Sequence, residues 1–472
     1  MPKKYRRALC WIRRDLRLYD HRPLMEACAQ AEEVGMVFVF DKTILDELED
    51  KDDRRVTFIH RSLSELDSNL KKHGSQLIVL HGDPTELIPK LAEQFQAEAV
   101  FTGRDYEPQA KKRDRQVAES LKQNGCQLIS LRDQVVFEEG DILNQSNLPF
   151  KVYTPYSKVW RAKFEATVDA ADCEPDLSAL TDTSKWKSDW SLTKLGFKEN
   201  DLWLEPGEKE GRKRLEAFSE KIDDYTEERN FPAVDGTSGL SVHLRFGTIS
   251  VRDCFRLALS HGRKGDKWFS ELIWREFYQD ILAHNPHVAT ETFLEHYREL
   301  NYPGTEEHWI AWCDGQTGYP IVDAAMRCFN ATGWMHNRLR MIVASFLTKD
   351  LLIDYRKGEA YFARLLLDFD LASNNGGWQW AASTGVDGQP YFRIFNPILQ
   401  SKKFDPDGKF IRTWLPELAE LDDEAIHWPH DLSDFDLVAA GVVLGKQYPH
   451  PIVDHKIQRE LAIKLLESAR KA

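Results

Sequence analysis

Between residues 6 and 137, short apolar runs alternate with stretches whose apolar positions recur every three or four residues. ALCWIRR (8–14), EVGMVFVFD (33–41), SQLIVLHGD (75–83), AEAVFTGRD (97–105) and CQLISLRDQVVF (126–137) predict strands. HRPLMEACAQ, RRVTFIHRSLSELDSNLKKHG, PTELIPKLAEQFQ and QAKKRDRQVAESLKQNG predict helices that close on Gly, Gln or Asn. Strands that are apolar almost throughout, alternating with amphipathic helices, imply a doubly wound parallel sheet. Such a sheet binds ligands beyond the carboxyl ends of its strands. It contains no G-x-G-x-x-G, so it lacks the dinucleotide fingerprint. From 138 to 208 the chain is irregular and rich in Asp, Ser, Lys, Trp and Pro, with one helical piece near 155–167. That segment is expected to be a long surface connection. From 209 onward only helical periodicity remains. The expected organisation is therefore α/β over 1–137, a linker over 138–208 and an all-α domain over 209–472.

Length agrees with two domains, since 472 residues exceed what one core usually holds. Seven scattered cysteines without a C-x-x-C pair point to reduced thiols in the cytoplasm rather than a disulfide framework, and no metal site is expected. No apolar run has signal-peptide or membrane-spanning length. The net charge of −13 argues against an overall basic surface. A local patch is what phosphates sense, however, and residues 331–412 hold 11 Lys/Arg against 8 Asp/Glu.

Candidate chemistry collects in the C-terminal part, where ten of the 14 Trp lie beyond residue 200. In DFDLASNNGGWQWAASTG, Asp368 and Asp370, then Asn374 and Asn375, precede Trp378 and Trp380 across a Gly pair. Carboxylates and amides with indoles suit a flat, polar-edged aromatic ligand, although indoles at this spacing are equally at home in a core. In the predicted helix DKWFSELIWREFYQDIL, Phe269, Leu272, Ile273, Phe277 and Ile281 form the core stripe, while Trp268, Glu271, Arg275 and Tyr278 share another face with Trp274 beside them. Glu271 and Arg275 also stand at the spacing of an ordinary surface ion pair. Thr237-Ser238-Gly239-Leu240-Ser241, with Tyr225 upstream, reads either as plain helix capping or as a diphosphate site. Asn337 and Met341 stand at i, i+4 beside Arg338 and Arg340 and predict an exposed polar rim.

NNGGWQWAASTG, TGYPIVDAAMR (317–327), GWMHNRLRM (333–341), ELIWREFY (271–278), RRDLRLYDH and IVDHK together resemble the DNA photolyase/cryptochrome family over essentially the whole chain. Bacterial class I cyclobutane pyrimidine dimer photolyases are the most similar branch. The resemblance implies a light-driven lyase that binds reduced FAD and UV-damaged DNA as a monomer, with no membrane and no obligate protein partner. It assigns Tyr225, Thr237, Ser238, Gly239, Leu240, Ser241, Trp268, Arg275, Arg340, Asp368, Asp370 and Asn374 to FAD, with Asn374 facing flavin N5 and Arg340 paired to Asp368. Glu271, Trp274, Met341 and Trp380 would meet the flipped-out dimer, and Arg229, Asn337, Arg338, Gln400 and Lys402, with Lys403 beside it, would meet the DNA. The pair Lys402-Lys403 is also what an ordinary solvated surface looks like.

Two places depart from the family pattern. Trp378 matches the proximal residue of an electron relay, but the next two positions carry Tyr355 and Tyr302, which implies slower photoreduction or a route through Trp309, Trp312 or Trp334. In the sheet domain, Ala110 stands where folate-binding members have an acidic residue. Arg55, Asp105 and Glu107 better resemble a deazaflavin-binding pattern, so a second antenna chromophore, deazaflavin or folate, stays open. The alternatives are a cryptochrome-like photoreceptor, disfavoured by Asn374 and the dimer-contacting set, and a flavin oxidoreductase using a soluble hydride donor, disfavoured by the missing fingerprint.

Overall fold

The computed structural model describes residues 3–471. Five parallel strands, β1 (Tyr5–Ile12), β2 (Ala31–Asp41), β3 (Ile78–Gly82), β4 (Ala99–Gly103) and β5 (Gln127–Leu131), form one sheet in the order β3-β2-β1-β4-β5. The register sets Trp11 against Val37 and Thr102, and Val39 against Leu80. The chain reverses its direction of travel across the sheet between β1 and β4, which makes their carboxyl ends the switch point. Connecting helices α1 (Arg22–Gln30), α2 (Arg54–Lys71), α3 (Pro84–Phe95) and α4 (Pro108–Gln123) begin where short polar side chains or prolines allow. Asp53 and Asp83 accept from the backbone N–H of Arg55 and Thr85, and proline occupies the first turn of α3 and α4. Leu9, Trp11, Val37, Val39, Ile88, Phe95, Val100 and Val117 pack as one apolar cluster.

The segment 138–208 departs from the surface connection expected of it. Its helix α5 (Tyr153–Lys163) buries Tyr156 and Trp160 completely, with Trp160 against Phe137, Phe255 and Phe269. The aromatic content of YTPYSKVWRAKF supplies enough apolar area to make it core.

The chain divides into two compact units, Met1–Asp223 with Ser238–Pro286, and Asp224–Thr237 with His287–Ala472, so compactness does not change at the expected 208/209 boundary. In the first unit, α6 (Ser241–Phe246), α7 (Val251–Ser260) and α8 (Asp266–His284) join the sheet. Buried ions explain why. Arg252 on α7 is fully buried and meets Asp20 Oδ1 at 2.9 Å and Asp133 Oδ1 at 2.9 Å, while Arg17 meets Asp133 Oδ2 at 2.6 Å. Burial alone would raise the Asp133 carboxyl, but Arg17 and Arg252 hold it far below the usual carboxylate range. Glu276 on α8 accepts from Val136 N (2.7 Å), Phe137 N (2.9 Å) and Trp160 Nε1 (2.6 Å), and burial pushes its carboxyl up to about 7.

The second unit is helical throughout its described residues, built from α9 (Glu306–Asp314), α10 (Pro320–Thr332), α11 (Asn337–Ser345), α12 (Tyr355–Leu365), α13 (Leu371–Ala382), α14 (Pro397–Phe404) and α15 (His455–Lys471) with shorter turns. Its core gathers Trp312, Val322, Met326, Phe329, Val343, Phe346, Phe362 and Trp378. Gly358 lets α12 close onto α13, because a Cβ there would stand 2.2 Å from Trp378 Cη2. TGYPIVDAAMR is held by Asp323, which accepts from Thr317 N (2.7 Å), Gly318 N (3.0 Å) and Tyr448 Oη (2.6 Å). IVDHK is anchored by His455 Nδ1 at 2.5 Å from Asp350.

Arg252→Ala leaves Asp20 and Asp133 short of a buried countercharge, and removing one partner from a buried ion cluster typically costs about 3–5 kcal/mol. A denaturant melt should show that loss. An unchanged midpoint would mean the cluster does not hold α7.

Candidate functional site

In the first unit, the N-terminus of α6 takes no side-chain cap, and Ser238 Oγ reaches Leu240 N only at 3.4 Å. Plain capping, one of the two readings of this hydroxyl cluster, is therefore nearly absent. Gly239 has φ +59°, the left-handed region that glycine enters without strain. On α8, Trp268 is buried with its ring 4.8 Å from Phe218. Arg275 Nη1 donates to Gln134 O at 2.7 Å, and Lys267 Nζ lies 3.1 Å from Glu271 Oε1. Trp274 stacks face to face on Tyr153, with centroids 3.7 Å apart and an interplanar angle of 8°. Tyr153 is itself fixed by its hydroxyl, which donates to Ser270 O at 2.8 Å. Nothing in the sequence pairs Tyr153 with Trp274, which lies on another helix, so this support was not legible.

At the carboxyl ends of β1 and β4, Asp105 and Glu107 come together on Arg14, with Glu107 Oε1 at 2.9 Å and Asp105 Oδ1 at 3.7 Å. Burial would raise the Asp105 carboxyl, but the guanidinium groups of Arg14, Arg13 and Arg113 hold it below its ordinary value. Arg55 is held instead by Asp53 at 2.5 Å, so the structure unites two of the three expected antenna residues.

In the second unit, α13 organises the polar groups. Asp370 caps it by accepting from Ser373 N at 3.0 Å. Asn374 and Asn375 are both buried on its next turn. Asn374 Nδ2 donates to Glu359 O at 3.1 Å, so its carbonyl oxygen is the end left to accept. Asn375 Nδ2 is shared by Val288 O (2.7 Å) and Glu359 Oε1 (3.0 Å). Burial pushes the Glu359 carboxyl up to about 7. Glu359 was missed by sequence reasoning, because its role depends on α12 lying alongside α13. A side chain at Gly377 would meet nothing within 4 Å, so that face of α13 is open. Arg340 Nη2 grips both oxygens of buried Asp368 at 2.8 and 3.1 Å, and its Nε donates to Met335 O at 2.8 Å. Trp378 is buried against Phe362 and Trp312, with centroids 5.1 and 6.2 Å away, whereas no ring contact joins it to Tyr355 or Tyr302 among the described residues. Trp380 is half-buried.

On α11 the i, i+4 expectation is met, with Asn337 Nδ2 4.0 Å from Met341 Sδ. Arg338 donates to Asn230 Oδ1 at 2.6 Å and lies 4.2 Å above the Phe404 ring. Arg229 lies 5.3 Å above the ring of buried Tyr225. Thr237 and Gln400 are half-buried, Lys403 is exposed, and Lys402 is already paired with Glu424. His336 caps α11 by accepting from Arg338 N at 3.1 Å. Burial, with Arg338, Arg340 and Arg229 nearby, holds its imidazole down to about 4. It is therefore neutral and serves as a cap.

Residues 8–176 match the family described as DNA photolyase, and residues 268–468 the one described as the FAD binding domain of DNA photolyase. The chain is 42% identical over 468 residues to the deoxyribodipyrimidine photo-lyase of Synechococcus sp., covering 96% of this chain and 94% of that protein. It is similar to the structure of a bacterial class III photolyase from Agrobacterium tumefaciens, with a TM-score of 0.91 and 35% identity over 100% of this chain and 99% of that one. It is also similar to an archaeal photolyase from Sulfolobus tokodaii solved with two FAD molecules, with a TM-score of 0.84 and 32% identity over 98% of this chain and 100% of that one.

His336 generates a pH prediction. Its folded pKa lies below the unfolded value, so the unfolded chain binds the extra proton between pH 6.5 and about 4. The stability it supports is complete above pH 6.5 and is lost as pH falls towards 4, on the order of 3 kcal/mol in all. His336→Asn keeps a capping acceptor and should flatten unfolding free energy against pH in that window. An unchanged slope would remove His336 from the acid sensitivity.

Proposed function

From the premise that this chain belongs to the DNA photolyase family, we propose that it is a deoxyribodipyrimidine photo-lyase that uses blue light and reduced FAD to split cyclobutane pyrimidine dimers in DNA. The observation that carries this reading is the near full-length identity to a protein of that name. Family membership, rather than assignment to one class within it, bears the weight, since a relative named as a class III photolyase shares the fold.

The residues present fit FAD. An uncapped helix start beside the Ser238 and Ser241 hydroxyls in the first unit suits a diphosphate. In the second unit the Asn374 carbonyl oxygen is free to accept from a flavin N–H, and the Arg340–Asp368 pair and Asp370 offer charge at the edge of an aromatic ring system. Tyr225, Thr237, Gly239, Leu240, Trp268 and Arg275 complete the set. Bound and reduced, FAD supplies the photoexcited one-electron donor to the dimer.

The chain's own work is to bind, orient and exclude water. Photolyases are base-flipping enzymes. Trp274 and Trp380 offer apolar faces to the flipped dimer and Met341 an adaptable contact, with Trp274 kept in orientation by Tyr153 beneath it. Glu271 reaches the pyrimidine carbonyl edge. Arg229, Asn337, Arg338, Gln400 and Lys402 meet the strand, with Lys402 exchanging Glu424 for phosphate. In this reading residues 209–472 hold FAD and DNA and 1–137 form the antenna part, where Asp105 and Glu107 on Arg14 would grip a deazaflavin more readily than a folate. The protein works as a monomer in the cytoplasm, where seven buried, unpaired cysteines stay reduced.

Binding in the dark tests the division of labour. An oligonucleotide with one thymine dimer should bind more tightly than its undamaged twin. Trp274→Ala should abolish that preference, whereas Arg338→Ala should weaken both and lower the salt slope by about 1. Equal affinity of the intact protein for both oligonucleotides contradicts the reading.

A further inference from the structure

We propose that buried Lys349 is a positioning residue for Trp380, clamping the carboxyl end of α13 through Ser383 and so fixing the indole that the helix offers to a flipped base. Its link to the dimer rests on the lyase reading above, whereas the clamp stands on packing within the second unit alone. After α11 the chain runs on into a π-helical turn, Phe346–Asp350, a wider turn of the kind that collects at functional sites. Lys349 lies on it at 1% exposure, and its Nζ donates to Ser383 Oγ at 2.7 Å. No carboxylate pairs with it among the described residues, and burial pushes its ammonium down to about 7. A methionine would fill the same space without that desolvation, so the reason for a lysine lies in what it holds.

Ser383 is an unusual end for a helix. It closes α13 with φ +66°, the left-handed region that glycine takes freely and serine enters only under strain. What serine brings and glycine lacks is the hydroxyl that meets Lys349. The ammonium also stands beside the end of the helix where the dipole favours positive charge. The loop that follows folds back on Trp380. Ser383 N and Gln389 N donate to Trp380 O at 3.2 and 3.1 Å, and Thr384 N and Gly385 N donate to Gln379 O at 3.0 and 3.1 Å. A Cβ at Gly385 would stand 2.6 Å from Gln379 Cβ, so the fit is close. The backbone of Trp380 is thus held by a loop whose first residue Lys349 holds.

The far end of this loop has a separate support. Tyr391 Oη donates to Glu467 Oε1 at 3.3 Å, and Arg470 lies 5.0 Å over its ring, both on α15. That helix starts at His455, which is paired with Asp350. Adjacent residues of the π turn therefore secure the two ends of 383–391, and loss of Lys349 should free only the first.

Amide hydrogen exchange of the full chain tests the clamp on wild type, Lys349→Met and Lys349→Met/Ser383→Gly. Losing a charged donor from a buried site should speed exchange across 383–389 roughly tenfold or more in Lys349→Met, with α15 unchanged. Global stability to denaturant should hold or rise at the same time, because a buried ammonium has gone. The added glycine takes the left-handed cap without strain, so the double variant should regain wild-type protection. In the dark, Lys349→Met should lose several-fold of the preference for a thymine dimer over undamaged oligonucleotide, and the double variant should recover it. If Lys349→Met fails to fold, Ser383→Ala and Ser383→Gly replace it. Both lose the hydroxyl, but only alanine keeps the strain, so alanine should loosen the loop and glycine should not. Unchanged exchange in Lys349→Met, a fall in global stability alongside faster exchange, no recovery in the double variant, or equal loosening by alanine and glycine overturns the clamp. Wild type that binds both oligonucleotides equally indicts the lyase reading alone, since exchange is read without DNA.

Discussion

Arg252, Asp20, Asp133 and Arg17 form a buried ion cluster on which the first unit depends. Guanidinium and carboxylate groups without solvent are tolerable only when each meets its partner at hydrogen-bond distance. That demand fixes α7 against the strand ends that carry Arg17, Asp20 and Asp133. The helix that follows, α8, is fixed in turn by Glu276, whose carboxylate takes three donors from elsewhere in the same unit. Trp268, Glu271, Trp274 and Arg275 project from a helix whose rotation and height are set by these contacts. RRDLRLYDH thus looks like a functional motif, yet in the structure its Arg17 and Asp20 supply the ions that hold the scaffold.

The second unit solves the same problem with neutral groups. Asn374 and Asn375 are buried and satisfied largely by Glu359 and Val288, so α13 presents fixed amide orientations. Trp378 is locked between Phe362 and Trp312 and lies close against Gly358. A reacting group held by buried hydrogen bonds keeps its geometry without reorganising, which is what electron transfer to a bound aromatic requires. His336 stays neutral in a cluster of arginines and adds no charge to it.

The sheet was legible because its strands are apolar runs closed by Asp, Gly and Pro signals, and its parallel sense follows from the alternation of strands and helices, whereas the order β3-β2-β1-β4-β5 came only with the structure. The two helical periods of α8 were legible as well, since side chains one turn apart share a face. What was not legible depends on distant contacts. The Tyr153–Trp274 stack, the Glu359 anchor and the Arg252 cluster join residues tens to hundreds of positions apart. The aromatic segment around Trp160 read as a connection because short helices carry little periodicity, whereas its burial comes from Phe255, Phe269 and Glu276. The tyrosines at 302 and 355 were placed by resemblance, and the contact between Trp378 and Trp312 became visible only with α9 packed in the core.

The most direct measurement is ultraviolet absorbance of an oligonucleotide bearing one cyclobutane thymine dimer, mixed with chemically reduced, flavin-loaded protein and followed under blue light and in the dark. The account predicts recovery of thymine absorbance in the light only. No recovery from protein that visibly holds reduced FAD would contradict the dimer-lyase reading and leave a flavin photoreceptor in its place.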